Sequence, residues 1–206
     1  GYMGEIRHKI VRLHSEMELS MICETNPENL TNDYKYTVVR DSNEVLESNV
    51  DVVFVCTPND LIPDLAIKCL ESGKNVFCEK PPGRTLEDIV RMQDAEKNNP
   101  GIKLMFGFNH RFHPGVMRAK AIVDSGRLGK VVALRGLYGK SGGKNFPQSW
   151  RNDHTISGGG ILLDQGIHML DLFNYFLGGF TSAKAFLSNS HWGFDVEDNA
   201  VVILKN

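Results

Sequence analysis

No stretch of this 206-residue chain approaches the roughly 18 consecutive apolar residues of a membrane span. The opening residues Gly1-Tyr2-Met3-Gly4 also lack the charged-then-apolar pattern of a secretory leader. A cytoplasmic location with no membrane partner is therefore expected. Charge of one sign is equally lacking. The 23 Lys and Arg residues are interspersed among 25 Asp and Glu, for a net charge of -2, and no basic block stands out. Nucleic acid and anionic surfaces are thus excluded as main partners, and a small neutral or weakly charged ligand fits better. Cysteine is scarce: Cys23, Cys56, Cys69 and Cys78 show no C-x-x-C spacing. Three of the four fall in apolar runs that read as buried strands, so they are expected to be reduced core thiols, and no metal site is expected. Internal repeats and low-complexity tracts are missing too, apart from a glycine-rich patch near residue 158.

What the chain does have is 41% hydrophobic residues, enough to bury a core, and a length that admits one large domain or two small ones. It is organised around Asn75-Val76-Phe77-Cys78-Glu79-Lys80-Pro81-Pro82. The apolar run suits a strand buried on both faces, and two prolines that cannot donate to a ladder end the pairing by Lys80. Lys80 is delivered at a strand's carboxyl end, the edge that borders the ligand crevice in open parallel α/β sheets. Taken alone, Glu79-Lys80 reads equally well as a solvated pair in a turn.

Upstream, Ile6, Ile10, Val11 and Leu13 have helical spacing directly behind Gly1 and Gly4, with no strand in front. Gly-x-x-Gly at a helix mouth matches the second half of the Gly-x-Gly-x-x-Gly turn, which brings a pyrophosphate to backbone amides, and it matches a plain loop as well. The strand-like run Leu19–Cys23 then ends in Glu24, 20 residues after Gly4. An acid about 20 residues beyond such glycines accepts hydrogen bonds from the ribose hydroxyls and repels a 2'-phosphate, which points to NAD rather than NADP. From Asp51 the order strand, turn, helix repeats. Val52–Cys56, the turn Thr57–Asp60, a helical face from Leu61 to Leu70 closed by Gly73, Val76–Cys78, a helix through Leu86 and Met92, and Ile102–Phe106 follow in turn. Strands alternating with helices imply right-handed parallel crossovers. Residues 1–108 are expected to form a Rossmann-type, doubly wound parallel sheet.

The pattern changes after Phe108, and residues 109–206 are expected to form a second, α+β domain. Asn109–Pro114 leads into a helix through Val116 and Ile122, and Val131–Tyr138 reads as a long strand. Gly139–Asp153 is a polar loop carrying Trp150 and Arg151. Asp164 and His168, behind Gly158-Gly159-Gly160, are four apart and share a face if helical. A carboxylate beside an imidazole orients its tautomer, and together they can take a proton from a hydroxyl, although an exposed intrahelical hydrogen bond gives the same spacing. Strands from Ala183 and from Asn199 close the chain.

Together these residues resemble the Gfo/Idh/MocA oxidoreductases, which join a Rossmann domain to an open, mostly antiparallel sheet. The resemblance rests on Val53–Asn59, Gly73–Val76, Glu79-Lys80-Pro81, Arg111–Pro114, Trp150-Arg151 and Gly158–Asp171, in the family's order along nearly the whole chain. It implies that Lys80, Asp164 and His168 occupy the positions of a catalytic lysine, aspartate and histidine. It also implies that Gly1, Tyr2, Met3, Gly4, Glu24, Thr57, Pro58, Asn59, Glu79 and Lys80 line the NAD site. Lys80, Arg111, Trp150, Arg151, Asp164 and His168 would then meet a sugar, cyclitol or other polyol. The reaction implied is hydride transfer between a substrate CH–OH and the nicotinamide. The alternatives are an NAD-retaining glycosidase or epimerase working by transient oxidation, and a dinucleotide sensor without turnover. The sequence departs from the family at Ile62, where a histidine is common, and at Pro82, where leucine or methionine is common. The family's first strand and the completion of its second sheet are not found in these residues, so the chain reads as part of a longer protein that self-associates through the second-domain sheet. Either an open slot between the strands of Ile22 and Val53 or a repacked sheet closing it is accordingly expected.

Overall fold

The computed structural model describes residues 1–26, 36–143 and 145–206. The chain forms two compact units, Gly1–Gly107 and Phe108–Asn206.

The first unit contains α1 (Tyr2–Leu13), β1 (Met21–Cys23), β2 (Thr37–Val39), α2 (Ser42–Glu47), β3 (Val52–Val55), α3 (Ile62–Glu71), β4 (Asn75–Cys78), α4 (Leu86–Asn98) and β5 (Leu104–Phe106). Its strands are parallel throughout, as β-α-β alternation dictates, in one sheet of order β3-β4-β5 and another of β1 and β2. No ladder joins the strand of Ile22 to that of Val53 among the described residues. α1 correspondingly buries Val11, while Ile10 and Leu13 stay exposed. The core lies where α3 and α4 cover the three-stranded sheet, and it is built from Val55, Ile62, Ala66, Leu70, Val76, Cys78 and Met92. Local chemistry sets the helix limits. Gly73, at φ 74°, ends α3 by donating to the Leu70 carbonyl at 3.0 Å, while Lys74 donates to that of Cys69. Thr85 and Asp88 form a reciprocal capping box at the start of α4.

The expected core thiols require correction. All four cysteines are free, but only Cys69 and Cys78 are buried; Cys56 is intermediate and Cys23 exposed. Among the described residues β1 pairs only with β2. Cys69 lies on α3, where its helical spacing puts it among the core residues. Burial pushes the Cys56 thiol up to about 11.

The second unit contains a 3-10 turn (Asn109–Phe112), α5 (Pro114–Asp124), two further 3-10 turns (Phe146–Gln148 and Trp150–Asn152), α6 (His154–Ser157), a π turn (Leu162–Gly166), α7 (Ile167–Leu177), and the antiparallel pair β6 (Ser182–Ser188) and β7 (Asn199–Lys205). The strand expected over Val131–Tyr138 does not form. An apolar stretch makes a strand only where another backbone can pair with it, and β6 and β7 pair only with each other among the described residues. Val132 and Leu137 are left almost fully exposed.

Candidate functional site

In the first unit the expected dinucleotide residues gather at the carboxyl ends of β1 and β3. α1 begins behind Gly1, which provides no side-chain cap, so its first-turn N–H groups remain available to an anion. Glu24 follows β1, and its Oε2 lies 3.4 Å from the terminal amine of Gly1. A Cβ on Gly4 would sit 3.7 Å from Cys56 Cβ, which places the first turn of α1 over the end of β3. Just beyond Cys56, Thr57 Oγ1 and Asp60 Oδ1 are buried without a hydrogen-bond partner. Buried polar atoms in that state cost about 1–3 kcal/mol each, a cost that a polar ligand at this edge removes. Pro58 and the buried Asn59 complete the turn. The donor set fits a dinucleotide: amides for the pyrophosphate, Glu24 for ribose hydroxyls, and unsatisfied polar atoms at the strand end.

Lys80 follows the buried Cys78 and Glu79 and is itself half-exposed. Glu79, expected to contact the cofactor, is buried and paired within the first unit. Its Oε1 accepts from Arg7 Nε at 2.8 Å and lies 2.6 Å from Arg7 Nη2, and the same guanidinium covers the Phe77 ring at 4.7 Å. Gly107 leaves room for the pair, since a Cβ there would meet Glu79 Oε2 at 3.0 Å. Glu79 thus ties α1 to the strand that carries Lys80. Ile62, the position where histidine is common in the family, is fully buried in the core.

In the second unit His168 stands near the start of α7 and is 5% exposed. The His110 ring faces it with centroids 4.0 Å apart and planes inclined by 32°. Tyr138 stacks at 6.3 Å, and Phe108 meets it edge-on at 6.3 Å. Asp164 lies in the π turn just before α7, its side chain mostly buried. Its carboxylate meets Arg151 Nε at 3.4 Å and Lys140 Nζ at 3.7 Å, and accepts from Gln165 Nε2 at 2.8 Å. Trp150, expected like Arg151 to meet substrate, carries the Arg151 guanidinium on its ring at 4.4 Å. Arg111, also expected to meet substrate, grips Asp171 with Nε and Nη2, the former at 2.7 Å, and lies over Tyr175. The hydrogen bond to Asp171 raises its pKa above the ordinary arginine value.

The glycine patch is explained by Glu197. Its carboxylate accepts from Gly160 N at 2.8 Å and Leu162 N at 3.0 Å, and its carbonyl accepts from Ile161 N at 2.9 Å. A Cβ on Gly160 would come within 1.9 Å of that carbonyl oxygen. Beside Asp164 opens a small cavity of about 50 Å³ whose walls include Lys140, Arg151, Phe146 and Trp192. The sequence reading missed His110, Tyr138, Lys140 and Glu197. His110 carried the one available signal, an imidazole inside the Asn109–Pro114 run, whereas the others come close only through the fold.

Comparison with known proteins agrees with this division. Residues 1–108 match a family described as an oxidoreductase family with an NAD-binding Rossmann fold. Residues 116–206 match the GFO/IDH/MocA C-terminal domain. Among curated proteins, a levoglucosan dehydrogenase of Pseudarthrobacter phenanthrenivorans is 34% identical over 185 residues, covering 89% of this chain and 45% of the relative. A myo-inositol 2-dehydrogenase of Thermotoga maritima is 33% identical over 172 residues, covering 81% and 49%. The chain therefore spans about half the length of these relatives. A solved levoglucosan dehydrogenase in complex with NADH and levoglucosan superposes with a TM-score of 0.88 at 30% identity, covering 100% of this chain and 61% of that one.

Proposed function

We propose that this chain, which belongs to the GFO/IDH/MocA oxidoreductase family, carries the cofactor and proton-handling residues of an NAD-dependent dehydrogenase acting on a sugar, cyclitol or related polyol. The observation that carries the reading is the buried imidazole of His168, four residues after a carboxylate, Asp164, that is held between two cations. An imidazole shielded from water is a base for a substrate proton rather than a surface charge. The relatives' names supply the substrate class, since levoglucosan and inositol are both polyhydroxylated rings.

In this reading Gly1, Tyr2, Met3 and Gly4 hold the pyrophosphate by their amides, Glu24 binds the adenosine ribose, and Thr57, Pro58 and Asn59 border the strand end. Bound NAD supplies the hydride acceptor. His168 takes the hydroxyl proton as the carbon is oxidised, and Asp164 orients it. Lys80 donates a hydrogen bond to the reacting oxygen and stabilises the negative charge that develops there. Arg151 and Trp150 serve substrate binding through Asp164. Glu79 and Arg111 serve by fixing the elements that carry Lys80 and His168. Self-association through the β6–β7 sheet and a cytoplasmic location belong to the same proposal.

The test is incubation of the protein with NAD and a panel of hexoses, anhydrosugars and cyclitols, followed by absorbance of the reduced nicotinamide. Net NADH formation with at least one polyol is expected. Lys80→Ala is expected to lower kcat by about 100-fold or more, in the range of lost transition-state donors, with NAD affinity and Tm nearly unchanged. Bond cleavage or epimerisation without NADH would overturn the dehydrogenase reading, and activity of Lys80→Ala within a few-fold of the parent would remove Lys80 from it.

A further inference from the structure

We infer that Trp192, with Phe146 and Phe194, walls a subsite that takes the C–H face of a cyclic polyol, so that Trp192 selects rings over linear polyols. The inference deepens the proposed function and rests on its reading of Asp164 as part of the substrate site. The three aromatic side chains come from two segments: Phe146 opens the turn Phe146–Gln148, and Trp192 and Phe194 lie in the connection between β6 and β7. Trp192 and Phe194 are nearly parallel, with planes inclined by 8° and centroids 5.8 Å apart, and Phe146 meets Trp192 at 5.1 Å. Gly142 lets them close together. At its φ of 74° a Cβ would be strained, and it would come within 3.1 Å of Trp192 Cζ2 and 3.3 Å of the Phe146 ring.

The connection that carries Trp192 is shaped by its own hydrogen bonds. Asp198 accepts from the backbone N–H groups of Ser190 at 2.9 Å, His191 at 2.7 Å and Trp192 at 2.8 Å. Asn189 accepts from Gly193 N at 3.0 Å and donates to the Phe194 carbonyl. Asn152 Nδ2 in turn donates to the Phe146 carbonyl at 2.5 Å. The aromatic wall is thus set before a ligand arrives, which lowers the cost of binding one. Beside it lies the cavity of about 50 Å³ that Asp164 also lines. A single water needs roughly 10–15 Å³, so this space admits one edge of a sugar-sized ring. Lys140 and Arg151 give the same cavity polar walls. Of the Arg151 guanidinium only Nε is hydrogen-bonded among the described residues, to Asp164 at 3.4 Å, and its terminal N–H groups are donors for hydroxyls. Aromatic faces joined to a few polar groups are what a cyclic polyol complements: its ring fixes C–H groups on one face and hydroxyls around the edge. A linear polyol has no fixed C–H face and loses more conformational freedom on binding.

The experiment measures binding of glucose and myo-inositol, both rings, and of sorbitol, the linear counterpart of glucose. It uses saturation-transfer NMR and calorimetric titration on the parent, Trp192→Leu and Trp192→Phe, with and without NADH, which cannot oxidise a polyol. In the parent, irradiating the aromatic resonances is expected to saturate the C–H protons of at least one ring. Trp192→Leu keeps an apolar side chain but removes the aromatic face, and should weaken that ring's binding on the order of tenfold, Trp192→Phe by less, with sorbitol unchanged within about twofold. If neither ring binds the parent, if Trp192→Leu binds as the parent does, or if ring and linear polyols lose affinity equally, the inference fails. Binding is read without turnover. Ring binding that depends on Trp192 but yields no NADH from NAD would uphold the subsite and sink the dehydrogenase reading; NADH formation by Trp192→Leu with an unchanged KM for the ring would do the reverse. Should Trp192→Leu not fold, absence of saturation transfer to ring C–H protons in the parent still overturns the inference.

Discussion

At the scale of single residues, the sequence offers a role for side chains whose spacing along the chain is itself the signal. Glu24 is one: its distance from Gly4 points to the proposed ribose contact. Glu24→Ser is expected to weaken NAD binding about tenfold and relax discrimination against NADP, since it removes the carboxylate that would accept from the ribose hydroxyls and repel a 2'-phosphate. Calorimetric titration with both dinucleotides checks this, and tighter binding of NADP than of NAD by the parent would refute the assignment. Glu79 and Arg111 show what position alone could not reveal. Their partners, Arg7 and Asp171, lie 72 and 60 residues away, so only the folded chain discloses that both charges are already taken. Breaking such a pair strands a charge, which is why these residues hold elements in place.

At the scale of elements, the helices and parallel strands of the first unit were readable because each carries its own periodicity and caps, as Gly73 and Thr85 illustrate. The segment 131–138 was read as a strand from its apolar residues, and among the described residues no ladder partner pairs with it. The glycine run was read correctly as a site of close approach, but the approaching group is Glu197 and not a ligand. Gly160→Ala is accordingly expected to destabilise the protein by about 2 kcal/mol or more, because the added Cβ meets backbone that cannot rotate away. A thermal melt checks it, and an unchanged Tm would mean that the Glu197 contact is not held in solution. The neighbouring Asp198 gives a pH-dependent counterpart. Hydrogen bonds from the backbone N–H groups of Ser190, Trp192 and His191 hold its pKa below the ordinary 3.8. A depressed folded-state pKa contributes stability that is complete above the unfolded value and lost as pH falls through the folded one. Asp198→Asn should therefore flatten the loss of Tm below about pH 4, and a parallel acid limb in the variant would show that these bonds do not persist.

At the scale of the whole molecule, the residues proposed to bind NAD lie in Gly1–Gly107 and the residues proposed to handle the proton, Asp164 and His168, lie in Phe108–Asn206, so variants can test cofactor binding separately from later steps. This separation allows a clean test of self-association. In the register of β6 and β7, Phe186 lies opposite Val201 and Lys184 opposite Ile203, so Phe186, Val201 and Ile203 share one face. Their exposures of 71%, 56% and 62% leave an apolar strip in water, a pattern that marks contact surfaces more often than free ones. The alternating exposure of β7 shows why the strip is not core: Ala200, Val202 and Leu204 turn the other way and are partly covered. Replacing Val201 with lysine puts a charge in the middle of the strip while keeping every backbone hydrogen bond of the ladder. Val201→Lys is expected to shift the sedimentation coefficient towards that of a single chain and leave NAD affinity within about twofold, since no residue assigned to the cofactor lies in this unit. An unchanged sedimentation profile would move the contact surface elsewhere, and a parallel loss of NAD affinity would show that the two units do not act independently.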